Sequence, residues 1–489
     1  MLATLLILVP LGAALAVWLL PLPAELTSGL AFLAALAEVG LWIGGVFDLT
    51  LSPLGIEWVD FGSDQQLFGT THEWFRELGV SYAVGFYGFQ FWLTGLTVVV
   101  GACAIGYGMW VGRDRPRAYY GLMLFLVGSI VGVFSSQDLL LFYVFFEAML
   151  IPLYVLIGVW GGPRRVRATV TFVIYTMVGS LLMLASVVAF GIGQGTFSLV
   201  TSGTSSNDWV FLGFIAAFAV KAPLFPFHGW LRDAYTQAPP EVSALLSGVV
   251  SKAAVFGLIW VVLPHFPGPV SDFRGLLLVL ASATLVYGSL LAFRQPDLRG
   301  VVAYSSMAQM GLITLGIFAT NDLGLDGAVL QSVTHGLVSA ALFLLAGMVE
   351  ERCGTGELGR LGGMARGRPI LATIVMTTGM IVLAVPGSAA FTGEFSILAG
   401  VFAQGWGYAA VGATAVVLAA MYGLRLISAL LHVSRGSAVP EDSPDLRPGE
   451  LALVLPLVGI LLVLSAWPGA VSGNSFPGDA PAQTIVGAG

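Results

Sequence analysis

Apolar runs of about 20 residues recur along this 489-residue chain, from Leu2 to Trp467. A helix of that length crosses a hydrocarbon core of roughly 30 Å. Helices and closed barrels are the structures that satisfy their own backbone hydrogen bonds inside a bilayer. Charged residues make up 10% of the chain, far below the roughly 25% of a water-soluble protein. The sequence therefore predicts an all-α, polytopic membrane protein with a single membrane domain, residues 1–489.

The apolar runs predict about 14 transmembrane helices. Their expected positions are residues 2–20, 29–47, 82–110, 118–134, 138–160, 169–191, 209–237, 242–263, 274–293, 299–319, 326–349, 368–404, 407–433 and 450–470.

Basic residues in short loops indicate the cytoplasmic side of a membrane protein. In this chain they fall on alternate predicted loops, as arginines 113, 115, 117, 164, 165, 167, 232, 294, 299, 352, 360, 366, 368, 435 and 447. The opposite loops carry Arg76 and Arg274, and the longest of them, from Phe47 to Ser81, is acidic. This pattern predicts that both termini lie on the non-cytoplasmic side.

Lysine is used selectively, because 18 of the 20 basic residues are arginine and the two lysines, Lys221 and Lys252, lie inside apolar spans. An ammonium group in a medium of low dielectric constant gives up its proton readily, whereas a guanidinium stays charged. Ionisable residues within a membrane span are costly, so a function is the default explanation. We expect both lysines to carry protons. The alternative is that each lysine extends its ammonium group to the membrane surface or forms a purely structural ion pair.

Glu147, in FFEAMLIPLY (residues 145–154), is the expected counter-charge of Lys221. At a separation of about 6 Å and an effective dielectric constant of about 20, such a pair interacts by roughly 3 kcal/mol. Movement of the glutamate could therefore discharge the lysine. The alternative is a fixed bridge that holds two helices together.

Two predicted spans contain helix breakers. Pro223 and Pro226 follow Lys221 in KAPLFPFHGWL (residues 221–231), and Pro386 and Gly387 precede FTGEFSILAG (residues 391–400), which contains Glu394. Proline removes a backbone donor and breaks a helix, and broken helices within a membrane border hydrated ion sites. Two breaks at corresponding places suggest an inverted repeat.

Between the breaks lie Lys252 and His335, each flanked by small residues. Histidine titrates near neutrality, so His335 can also carry a proton. The expected polar axis consists of Glu147, Lys221, Lys252, His335 and Glu394. A histidine in an apolar span can also be a simple packing residue.

The two cysteines show no metal-binding spacing, so neither a metal site nor a redox centre is expected in this chain.

Four segments resemble the M-type chain of proton-translocating NADH:quinone oxidoreductases, a member of the antiporter-type membrane subunits. They are FFEAMLIPLY, KAPLFPFHGWL with the following DAYTQAPPEVSALLSG (residues 233–248), HGLVSAALFLLAG (residues 335–347) and FTGEFSILAG. The resemblance implies two inverted five-helix repeats with two broken helices. It divides the chain into N-terminal helices one to three (1–117), a first repeat (118–263), a second repeat (274–433) and a C-terminal helix and tail (450–489).

The resemblance also implies roles along the axis. Glu147 and Lys221 correspond to the input pair, Lys252 to the connecting lysine, His335 to the central histidine and Glu394 to the carboxylate near the exit. Related L- and N-type chains and antiporter subunits usually carry lysine at the last position, so glutamate favours the M type.

Three further residues are expected as accessory groups of the path: His228, Tyr304 and Gln309. Gln309 stands where many relatives have a second histidine, and an amide can relay protons only through water. The expected function is proton translocation coupled to quinone reduction in partner subunits. The alternatives are a subunit of a sodium/proton antiporter or of a hydrogenase-type membrane complex, and an inert scaffold.

The resemblance places the remaining components elsewhere. Flavin, iron–sulfur clusters and quinone are expected in other membrane and peripheral subunits. The expected location is the plasma membrane of a prokaryote, in contact with the lipid bilayer and with no nucleic-acid partner.

Overall fold

The computed structural model describes residues 1–47 and 66–476, and helices dominate these regions. The first nine helices are α1 (Leu2–Leu19), α2 (Ala24–Val46), α3 (Gly88–Val111), α4 (Pro116–Ser135), α5 (Leu139–Ala148), α6 (Leu150–Trp160), α7 (Arg165–Gln194), α8 (Asp208–Lys221) and α9 (Leu231–Gln237). The others are α10 (Pro240–Leu245), α11 (Lys252–Phe256), α12 (Leu263–His265), α13 (Pro267–Arg294), α14 (Leu298–Phe318), α15 (Asp322–Cys353), α16 (Pro369–Val382), α17 (Ala389–Phe402), α18 (Trp406–Ile427), α19 (Pro448–Ala466) and α20 (Gly469–Ser472).

Within the described residues, 12 helical segments are long and apolar enough to cross a membrane. The other two predicted spans, 209–237 and 368–404, are each divided into two shorter helices. The helical membrane fold is thus confirmed, whereas the inverted repeat and the domain divisions stay predictions. The acidic residues Asp48, Glu57, Asp60 and Asp64 of the predicted outer loop, and the tail 477–489, lie outside the described residues.

Both predicted helix breaks are present. Helix α8 ends at Lys221, and residues 222–230 form turns before α9 begins. Residues 383–388 separate α16 from α17, with Ala384 and Gly387 at positive φ values of 47° and 94°. Proline lacks the N–H that would continue the helix, and Gly387 can adopt the left-handed conformation without a steric cost. The first break therefore follows Lys221 directly, whereas Glu394 lies in the second turn of α17, after the second break.

Two predictions at helix boundaries were wrong. The span expected at 82–110 begins at Gly88, because residues before it form a hairpin of β1 (Leu67–Phe75) and β2 (Val80–Phe86). The apolar side chains of β2 had merged with the following helix in the sequence pattern. Arg274, expected in a loop, lies inside α13, which begins at Pro267.

The Lys252 helix, defined as Pro240–His265, contains α10, α11 and α12. Two π-helical segments, Leu246–Val250 and Gly257–Val262, lie on either side of α11. Such π segments are rare and occur frequently at functional sites. This helix, α3 and α15 are almost completely buried and pack against one another. They form the centre of the bundle.

Ionic contacts fix the first turn of the Lys252 helix. The Arg113 guanidinium donates to both carboxylate oxygens of Glu241, at 2.7 and 2.8 Å, and the Tyr119 hydroxyl donates to Oε1 at 2.5 Å. Arg299 also donates to the carbonyl of Ala238, at 2.7 Å. Glu241 is fully buried, so the bidentate pairing compensates a charge that would otherwise be very costly there.

Candidate functional site

Lys252 and His335 form the centre of the site. The Lys252 Nζ lies 2.8 Å from His335 Nδ1, 2.8 Å from the carbonyl oxygen of Ser247 and 3.3 Å from the Ser251 hydroxyl. Both side chains are buried, with exposures of 0% and 6%. The structure therefore brings together two residues that the sequence analysis assigned to one axis.

Two glycines allow this contact. A Cβ added to Gly336 would lie 2.6 Å from the carbonyl oxygen of Gly248, and one added to Gly248 would lie 3.0 Å from the carbonyl oxygen of Gly336. Small residues let membrane helices approach closely. Because Gly336 follows His335 and Gly248 lies one turn before Lys252, the glycine crossing sets the distance between the two ionisable side chains.

A cluster of serines extends this centre. The Ser247 hydroxyl is 2.8 Å from that of Ser306 and 2.5 Å from that of Ser339. These three residues belong to the Lys252 helix, α14 and α15. These serines were not predicted from the sequence, because serine is common in membrane helices and its partner depends on how the helices align.

Glu394 lies in a separate group of polar side chains. Gln309 Nε2 donates to Glu394 Oε1 at 2.9 Å, and Gln331 Nε2 donates to Gln309 Oε1 at 2.8 Å. The accessory residue Gln309 thus contacts the expected exit carboxylate directly. Gln331 was missed, although its position four residues before His335 puts both on one face of α15.

One cavity of about 30 Å³ borders both groups. The residues that line it are Val302, Ser305, Gln309, Gln331, Thr334, His335, Val338, Ser339, Leu342, Ile381, Val382, Ala390, Glu394 and Tyr422. A cavity needs roughly 10–15 Å³ on this measure to hold one water molecule. The volume therefore suffices for one or two water molecules next to both His335 and Glu394.

Lys221 and Glu147 are neighbours but do not form an ion pair within 4.0 Å. Lys221 is buried, and its Nζ lies 4.7 Å from the ring centroid of Phe146. The Glu147 carboxyl is half-buried and interacts electrostatically with Lys221 and with the hydroxyl of Ser180. The arrangement combines an indirect charge pair with a cation–π contact, so proton transfer between the two residues needs movement or an intervening group.

The accessory residues His228 and Tyr304 lie apart from the cavity. His228 packs edge-on against Tyr287, with ring centroids 5.3 Å apart, and its Nδ1 has no hydrogen-bond partner among the described residues. Tyr304 interacts with Arg232 and Tyr287. These two residues therefore form a separate group near the break after α8.

Glu38 in α2 is a buried carboxyl that the sequence analysis did not single out. It is 1% exposed, and neither carboxylate oxygen has a hydrogen-bond partner among the described residues. The rule that drew attention to the lysines, an ionisable residue within an apolar span, would have identified it. It does not line the cavity beside His335.

The sequence matches a known family. Residues 136–421 match the family described as NADH:quinone oxidoreductase/Mrp antiporter, transmembrane. NADH-quinone oxidoreductase subunit M of Rhodobacter capsulatus is 35% identical over 413 residues, which cover 81% of this chain and 80% of the relative. Subunit M of Mycobacterium tuberculosis is 38% identical over 398 residues, covering 77% and 71%.

Solved structures give the same result. The fold superposes on a chain of respiratory complex I from Thermus thermophilus with bound NADH, with a TM-score of 0.87, 30% identity and full coverage of both chains. It also matches a chain of the Mrp complex from Dietzia, with a TM-score of 0.86, 22% identity and coverage of 100% and 98%. The second likeness concerns the fold alone. The chain therefore belongs to the NADH:quinone oxidoreductase/Mrp antiporter family, as an antiporter-type membrane subunit that resembles subunit M.

Proposed function

We propose that this chain is a proton-translocating membrane subunit of a bacterial respiratory quinone oxidoreductase. The identities with subunit M from several bacteria support this assignment. In this proposal it crosses the plasma membrane many times, with both termini outside. It contributes to a translocase whose flavin, iron–sulfur clusters and quinone belong to partner subunits.

The contact between Lys252 and His335 carries the proposal. Two positive charges 2.8 Å apart repel by about 6 kcal/mol at an effective dielectric constant of about 20. The pair therefore holds one excess proton rather than two. A proton that arrives at Lys252 drives another from His335, which is the behaviour needed of a relay between two sides of a membrane.

The remaining residues of the axis take up protons on one side and release them on the other. Glu147 and Lys221 form the input, and a change in their separation alters how firmly Lys221 holds its proton. The Lys252 helix packs against α8, and the Phe218 ring of α8 lies where a Cβ on Gly257 would be. In this proposal, the proton of Lys221 passes towards Lys252 through water at the break that follows α8. Glu394 accepts the proton from His335 and releases it, with Gln309 as an accessory group. In this proposal His228 and Tyr304 are accessory groups on the input side, near the break after α8.

The test uses the complete complex in sealed vesicles. In Lys252→Met, this subunit should no longer take up protons as electrons pass through the complex, so the proton-to-electron ratio should fall. The reason is that a thioether carries no proton, while the side chain keeps a similar length. Ser282→Ala is the matched control, since it alters a buried hydroxyl of α13 that does not line the cavity. An unchanged proton-to-electron ratio in Lys252→Met would refute the assignment.

A sodium/proton antiporter subunit is the second candidate, because the family description and the fold match with the Dietzia complex both include Mrp antiporters. Glutamate at position 394 argues against it, as the related antiporter chains usually carry lysine there. Identification of the co-purifying chains distinguishes the two. Redox subunits support the oxidoreductase, and their absence together with sodium-dependent proton exchange supports the antiporter.

A further inference from the structure

Four buried oxygen atoms around one cavity share an unusual property. Gln331 Oε1, Thr334 Oγ1, Glu394 Oε2 and the Tyr422 hydroxyl have no hydrogen-bond partner among the described residues, and all four residues line the cavity beside His335. Buried polar groups are nearly always hydrogen-bonded. Four such groups around about 30 Å³ meet the requirement for bound water, which is enough space and two to four polar partners.

The two glutamines determine which oxygen of Glu394 is free. Gln309 donates to Oε1 of the carboxylate and in turn accepts from Gln331. A carboxamide does not titrate, so this chain of amides fixes the side chains without carrying a proton. With Oε1 occupied, Oε2 is the oxygen left to receive a proton, and a route from His335 to Glu394 has to pass through the cavity.

We propose that Tyr422 is a positioning residue, whose hydroxyl holds the water that lies in the cavity between His335 and Oε2 of Glu394. This inference rests on the proposed function. In the transfer step, the N–H bond at His335 Nε2 breaks as its proton passes to a water oxygen, and an O–H bond of that water or its neighbour breaks as Oε2 becomes protonated. The water is regenerated and no electron moves. The Tyr422 hydroxyl, on α18, fixes the water without exchanging a proton itself.

Tyr422→Phe tests the proposal in the purified intact complex, because it removes the hydroxyl and keeps the ring. Infrared difference spectra report the carboxyl stretch of Glu394, identified by its loss in Glu394→Gln. We expect this band to move to higher frequency in Tyr422→Phe as the carboxyl loses its hydrogen bond to water. Proton pumping should fall roughly fivefold, the factor that corresponds to one lost hydrogen bond of ordinary strength. Its solvent isotope effect should rise.

Ser282→Ala is the control, since it removes another buried hydroxyl without a described partner, outside the cavity; it should leave both readouts unchanged. Thr334→Val provides a second variant of nearly equal volume and should shift the band in the same direction by a smaller amount. A carboxyl band that stays in place in both Tyr422→Phe and Thr334→Val, with wild-type pumping, overturns the water site. If the wild-type complex moves no protons, the proposed function fails, but the infrared shift still decides whether Tyr422 positions water at Glu394.

Discussion

Replacing Gly336 by alanine should separate Lys252 from His335 without altering any ionisable group. The new Cβ would lie 2.6 Å from the carbonyl oxygen of Gly248, whereas an ordinary carbon–oxygen contact is roughly 3.3 Å. The two backbones must therefore move apart by about 0.7 Å. Added to the present 2.8 Å, this takes the distance between Nζ and Nδ1 to about 3.5 Å, which is beyond a normal hydrogen bond.

The expected loss of proton pumping is large for the addition of a single methyl group. A misplacement approaching 1 Å can lower the rate of a positioned step by about 100-fold, so we expect proton pumping to fall between tenfold and 100-fold. Overpacking should also destabilise the chain by about 1–3 kcal/mol. The assay is proton uptake in vesicles that contain the whole complex, with thermal unfolding of the purified complex measured in parallel.

Gly275→Ala is the matched control, because a Cβ at this position of α13 would meet nothing within 4 Å. It should pump and unfold as the wild type does. A Gly336→Ala complex that assembles and pumps at the wild-type rate would show that the glycine crossing does not set the distance between Lys252 and His335.

Three other predictions concern charge and orientation. Glu147→Gln and Lys221→Ala should each abolish pumping with assembly intact, measured as protons per electron in vesicles; an unchanged ratio in either variant contradicts the input pair. Glu394→Gln should reduce pumping, and Glu394→Lys should be milder than Glu394→Ala because a titratable group is retained; near-normal pumping in all three would make Glu394 a structural residue. A cysteine introduced at the exposed Ser206 should react with an impermeant reagent from outside, whereas one at the exposed Ser434 should not; the reverse result overturns the topology.

The sequence was sufficient to predict features that follow from the free-energy cost of placing a single residue in a membrane span. Lys252 and His335 stand out because a buried charge needs a reason, and the helix breaks follow from Pro223 and Pro386. The hairpin before α3 was not predicted, because the apolar residues of a strand and of a helix look alike when they follow one another without a break.

Features that depend on the relative positions of helices could not be predicted. Tyr422 and Gln331 are neutral side chains whose proposed roles come from facing a cavity that several helices enclose. The indirect arrangement of Glu147 and Lys221 is of the same kind. The ionisable side chains of Glu147 and Lys221 could be recognised in the sequence, but the distance between them depends on how α5, α7 and α8 pack.

The anchoring of the Lys252 helix has a consequence for its mobility. Glu241 ties its first turn to Arg113 and Tyr119, whereas the segments Leu246–Val250 and Gly257–Val262 are wound as π-helix. A π segment has weaker and less regular backbone hydrogen bonding than the α-helix around it, so twisting is concentrated there. Lys252 can then rotate about the helix axis while the first turn stays fixed. In hydrogen-exchange measurements, the amides of residues 246–250 and 257–262 should open more readily than the hydrogen-bonded amides of residues 243–245, although both sets are almost completely buried.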